Sequence, residues 1–139
     1  MPATVRIISS RKVVYFRYHG LVTPEECMSV MSRAANAPEC KPDDGHLADF
    51  SATEDFAGDF HQILRIVTHK SALDMPVVPG TPCAIYAPND LTFGVARMYQ
   101  QIAAGMLAFD VAVFRDEAGA LAHLGVREPS IAALTALDG

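Results

Sequence analysis

The stretch from Pro82 to Arg115 constrains this chain more than any other, because it reads as strand, helix and strand in immediate succession. Pro82-Cys-Ala-Ile-Tyr-Ala is a short apolar run broken by Pro88-Asn-Asp. Leu91, Val95, Met98, Ile102 and Met106 then recur at the spacing of one helical face. Asp110-Val-Ala-Val-Phe-Arg closes the unit with a run apolar on both faces, as a strand covered by helices requires. Strands joined through a helix lie parallel, so the rest of the chain must supply a parallel sheet for this unit to join.

Upstream, Val5-Arg-Ile-Ile and Lys12-Val-Val-Tyr-Phe-Arg-Tyr-His flank the short polar connection Ser9-Ser-Arg, the pattern of an antiparallel hairpin. Thr23-Pro-Glu-Glu follows, with Thr23 as a helix cap, Pro24 in the first turn and Glu26 reaching back to the cap amide. Cys27, Val30, Met31 and Ala34 form the buried stripe of that helix, and Pro38 ends it. His46-Leu-Ala-Asp-Phe reads as a short strand. Ser51-Ala-Thr-Glu then predicts a second helix start, with Thr53 as a rival cap. Phe56, Phe60, Ile63, Leu64 and Val67 are expected on its core face, and Ile66 and His69 on its outer face.

The segment Leu73 to Thr81, with Pro76, Pro79 and Gly80, is an irregular connector into the central unit. After that unit Asp116 caps a last short helix that stops at Gly125, and Ile131, Leu134 and Leu137 are spaced for a small helix in an apolar tail. The expectation is an α/β fold: a mixed sheet of about five strands with an N-terminal antiparallel hairpin and helices packed on it. Residues 1–125 form the domain, and residues 126–139 form a tail buried on its own or a partner subunit.

With 139 residues the chain fits one domain that needs no disulfide or metal support. It has no run of about eighteen apolar residues that would span a membrane. Its start carries no long apolar segment with a cleavage site, so a cytoplasmic location is expected. Cys27, Cys40 and Cys83 show no C-x-x-C pairing, which fits a reduced compartment. The net charge of −5, with scattered basic residues, argues against nucleic acid and against an anionic membrane surface.

The order of elements, with four stretches of sequence, resembles the SpoIIAA-like branch of the STAS-domain superfamily, relatives of the anti-sigma-factor antagonists. Those stretches are Tyr18-His-Gly-Leu-Val-Thr-Pro-Glu-Glu, Leu47-Ala-Asp-Phe-Ser, Tyr86-Ala-Pro-Asn-Asp-Leu-Thr-Phe-Gly-Val-Ala-Arg-Met-Tyr and Val113-Phe-Arg-Asp-Glu-Ala-Gly-Ala-Leu-Ala-His-Leu-Gly. The resemblance implies a non-enzymatic regulatory or binding module, a homodimer, and a protein partner or small ligand. Phosphorylated members of the superfamily carry an Asp-Ser-Ser-Gly type motif near the position of Ser51. Here Glu54 and Asp55 follow, which favours simple capping over a phosphate that would meet two like charges.

In an open α/β sheet ligands gather outside the carboxyl ends of the parallel strands, where Thr23, Ser51, Asn89, Asp90, Arg115 and Asp116 are expected. Thr23, Ser51, Asp90 and Asp116 are also candidate caps, and neither G-x-G-x-x-G nor a P-loop is present, so nucleotide binding is disfavoured. The five histidines, His19, His46, His61, His69 and His123, show no metal-ligand spacing, and no cofactor is expected. There is no G-x-S-x-G, and Cys83 lies at the buried start of a strand. On the outer face of the central helix Phe93 and Arg97 are a candidate contact pair, lining a subunit contact or the mouth of an apolar pocket. The plainer alternative folds Phe93 back under the Leu73 to Thr81 connector. Phe93, Arg97, Ser51, Asn89 and Arg115 are thus the candidate binding or interface residues. Besides a regulatory module, two readings stay open: a carrier of an apolar or lipid-like molecule, in keeping with six methionines, and a small hydrolase around an unidentified histidine.

Overall fold

The computed structural model describes residues 3–137. Strands β1 (Ala3–Ile8) and β2 (Val13–Val22) pair antiparallel, with Val5 opposite Phe16 and Ile8 opposite Val13. The turn between them is one 3-10 turn, Ser9–Arg11, closed by Lys12 in the left-handed region at φ 56°. Helix α1 (Pro24–Asn36) starts as its sequence requires. The Thr23 hydroxyl accepts from the Glu26 amide, and the Glu26 carboxylate accepts from the Thr23 amide. Then come β3 (Gly45–Phe56), α2 (Phe60–Ala72), β4 (Pro82–Tyr86), α3 (Asp90–Ala103), β5 (Asp110–Phe114), α4 (Glu117–Leu124) and α5 (Ile131–Thr135).

The five strands lie in chain order, β2 through β5 all parallel. The two strands of the central unit are neighbours, with Ile85 opposite Val113. Because each new strand is added on the same side of the last and parallel crossovers are right-handed, α1, α2 and α3 must all cover one face. That face carries Phe16, Tyr18, His46, Phe50, Cys83 and Ile85. The opposite face carries Tyr15, Leu47 and Ala84 and is covered by α4 and α5 through Ala120, Leu121, Ile131 and Leu134. The apolar tail therefore folds back on its own sheet. Asp138 and Gly139 lie outside the described residues. Among the described residues no helix is long and apolar enough to cross a membrane.

Three expectations are corrected. The third strand does not end at Phe50 but continues to Phe56, paired with the far end of β2, where Leu21 lies opposite Asp55 and Val22 opposite Phe56. Ser51 is thus an exposed strand residue and caps nothing; Asp59 caps α2 by accepting from the Gln62 amide. The buried stripe of α2 is Ile63, Ile66, Val67 and Lys70, which puts Ile66 inside and leaves Phe60 exposed. Helix α3 is rotated from its expected setting. It meets the sheet through Thr92, Ala96 and Ala103, while Leu91 and Met106 are exposed. Its cap is Asn89, whose side chain accepts from the Thr92 amide, rather than Asp90.

Candidate functional site: a cavity with a buried amine

Small side chains let α3 approach the sheet, but they leave volume unfilled. Between the sheet and the three helices lies a cavity of about 60 Å³, and Ala48, Thr53, Thr92 and Ala96 are among its lining residues. Native cores hold few voids larger than one water, and one water needs only about 10–15 Å³ on this scale. The rest of the lining is dominated by apolar and aromatic groups, including Tyr18, Phe50, Ile63, Ile85 and Tyr99. Tyr18 and Phe50 stack with centroids 4.5 Å apart and planes within 4°, forming a flat wall.

A charged residue type also lines this space. Lys70 sits on the buried stripe of α2, seven residues after Ile63, and is only 6% exposed. Its Nζ lies 3.2 Å from Nδ1 of His46 and 4.4 Å from the ring centroid of Phe109. His46, at the start of β3, is itself 2% exposed and held between Phe16 and Phe109, at centroid distances of 5.3 and 4.4 Å. Cys83 lies opposite His46 in the sheet register. Among the described residues no carboxylate lies within 4.0 Å of the amine.

Burial therefore dominates the protonation of this group. It holds Lys70 below the ordinary lysine value, with the Cys83 and Cys40 thiols acting weakly the other way. His46 is held well below the usual histidine range, first by burial and then by the neighbouring Lys70 charge. Burial pushes the Cys83 thiol up, partly offset by Lys70. The face of the Phe109 ring favours a cation, but such support amounts to about 2 kcal/mol when desolvated, less than the several kcal/mol that a buried unpaired ion costs. Beside a neutral imidazole, burial shifts the equilibrium toward the neutral amine. Such an amine has a free lone pair and is a nucleophile.

The residues singled out from sequence lie elsewhere. Asn89 donates from Nδ2 to the Thr53 carbonyl at 3.2 Å and so ties α3 to the end of β3 near the cavity lining. Arg115 bonds Asp90 at 2.8 Å and lies 4.1 Å over the Phe93 ring. Phe93 is half-buried against Ile85, Ala87 and Ala96, whereas Arg97 is exposed. The structure thus joins Phe93 to Arg115 by a ring contact, and neither Phe93 nor Arg97 is among the residues lining the cavity. Ser51 donates its amide to Asp49 at 2.9 Å, on the exposed part of β3. Sequence reasoning passed over Lys70 and did not single out His46. The signal for Lys70 was present in the α2 stripe, since position 70 follows 63, 66 and 67 at helical spacing.

Comparisons with protein-family models, with curated proteins and with solved structures return no match.

Proposed function

We propose that this protein is a non-enzymatic binding module that holds a small apolar molecule between its sheet and α1–α3. The observation that carries this reading is the cavity of about 60 Å³, large for a native core and lined mainly by apolar atoms. A dry apolar cavity loses dispersion contacts on its walls, and an apolar ligand of a few non-hydrogen atoms restores them without any polar group having to be desolvated. In this reading the module belongs with the SpoIIAA-like STAS domains. A hairpin followed by three same-face crossovers, with the Thr23 cap at the first of them, supports that kinship. The three unbridged cysteines support a cytoplasmic setting.

Xenon under moderate pressure and 1-butanol, each titrated into the labelled full-length chain, test the reading by nuclear magnetic resonance. Shift changes concentrated at Ala48, Ile63, Ile85 and Ala96, and abolished by the filling substitution Ala96→Leu in a folded variant, are expected. Shifts absent at these four residues with both probes would overturn it.

A further inference from the structure

The cavity carries one group that apolar binding does not use. An amine has been placed at 6% exposure, without a carboxylate partner among the described residues, facing a space in which a ligand would sit. The groups gathered about it are His46 from β3, Cys83 from β4, Cys40 from the loop after α1, and Phe109 from the loop before β5. From this arrangement, and resting on the cavity reading above, we propose that Lys70 captures small apolar aldehydes by reversible imine formation. The amine lone pair adds to the carbonyl carbon, forming the C–N bond as the π pair of the C=O bond moves to oxygen, and one proton passes from nitrogen to that oxygen to give a carbinolamine. The nitrogen then sheds its other proton, and Nδ1 of His46, 3.2 Å away, is the acceptor in reach. That proton goes to the departing hydroxyl, water leaves, and a C=N bond replaces the C=O bond. Nothing is oxidised or reduced, and hydrolysis returns both partners.

An aldehyde suits this site better than a carboxylate. A carboxylate would bring a full charge into a lining whose polar members besides Lys70 and His46 are thiols and hydroxyls, with no guanidinium or second ammonium to hold it. An aldehyde is neutral on arrival, and the apolar walls that accept its tail also keep water from the imine. Burial supports the same conclusion, because it favours the unprotonated amine that must attack.

The chain has three lysines, Lys12, Lys41 and Lys70, and the first two are exposed. They serve as internal controls. The full-length chain is exposed briefly to butanal with sodium cyanoborohydride near pH 7.5, which reduces any imine to a stable butylamine, and the adduct is located by peptide mapping. Labelling of Lys70 at least about tenfold faster than of Lys12 or Lys41 is expected, because burial raises the share of unprotonated, nucleophilic amine at Lys70 alone. Excess 1-butanol, which fills the same space but has no carbonyl, should suppress labelling of Lys70 and leave the other two unchanged. If butanol binds in the cavity but Lys70 labels no faster than the controls, or labels equally with butanol present, capture is overturned and the apolar reading stands. If neither butanol nor xenon binds, both readings fall.

Discussion

Tyr15 on β2 donates its hydroxyl to Asp49 on β3 at 2.6 Å, with both residues under 10% exposed, on the sheet face opposite the cavity. Asp49 accepts a second bond from the Ser51 amide, so the two oxygens of a buried carboxylate are each engaged. The pair joins the neighbouring parallel strands β2 and β3 on the face covered by α4 and α5. Short bonds to a charged acceptor are the stronger kind.

Tyr15→Phe removes the donor and leaves Asp49 buried with one oxygen bare. A loss of about 1.5–3 kcal/mol in urea unfolding at pH 7 is expected. Burial and the bond to Asp49 raise the Tyr15 phenol above its ordinary value in the folded chain. The folded state therefore keeps its proton after the unfolded chain begins to lose it, and the advantage of the wild type over Tyr15→Phe should shrink as pH rises beyond about 10.

The start of α2 gives a paired test of the corrected β3–α2 boundary. Asp59→Ala removes the observed cap and should cost about 0.5–2 kcal/mol. Ser51→Ala, at an exposed position within β3, should stay within about 0.5 kcal/mol of wild type. Equal losses from the two substitutions in thermal unfolding would contradict the boundary at Asp59.

Lys70→Met replaces a buried amine that has no carboxylate within 4.0 Å among the described residues by an apolar side chain of similar length, and a gain of about 1–3 kcal/mol at pH 7 is expected. The sign of its pH dependence follows from the lowered value of the folded amine. Between the lowered folded value and about pH 10 the unfolded chain binds a proton that the folded chain has begun to lose, so wild-type stability climbs with pH there and the gain from Lys70→Met shrinks. His46 adds a slope of the same sign only below about pH 6.5, and Cys40 and Cys83 are present in both chains. Denaturant midpoints of the two proteins between pH 7 and 9 measure the difference.

At the carboxyl ends of β4 and β5, Arg115 covers Phe93 at 4.1 Å. A double-mutant cycle with Phe93→Leu and Arg115→Gln should return a coupling of about 0.5–1 kcal/mol. The exposed Arg97→Ala should change stability by less than about 0.5 kcal/mol. A larger effect from Arg97 than from Arg115 would restore the pairing that helical spacing suggested.

Local chemistry made part of this architecture legible. Thr23, Pro24 and Glu26 carry their own start signal, and the run from Pro82 to Phe114 alternates composition sharply enough to mark strand, helix and strand. The second half of β3 was hidden because Ser51, Thr53, Glu54 and Asp55 are the residues a helix start would also use. What makes them a strand is the overhang of β2, a long-range pairing that no local pattern contains. The rotation of α3 was hidden for a related reason. Periodicity weighs large side chains, and this helix packs through Thr92, Ala96 and Ala103, whose small size brings the backbone close. The site was least legible. Lysine is a charged residue type, so Lys70 reads as solvated until tertiary packing encloses it, and His46 gains meaning only beside it.

The return of α5 to its own sheet sets an order on synthesis. The face under α1, α2 and α3 can close once residue 114 has left the ribosome, because its three helices, Phe109 and all five strands precede that point. Tyr15 and Leu47 on the reverse must wait for Ile131 and Leu134, translated more than eighty residues after Leu47. Until then the nascent chain presents a half-dressed β-surface, the kind of transient apolar exposure that chaperones engage.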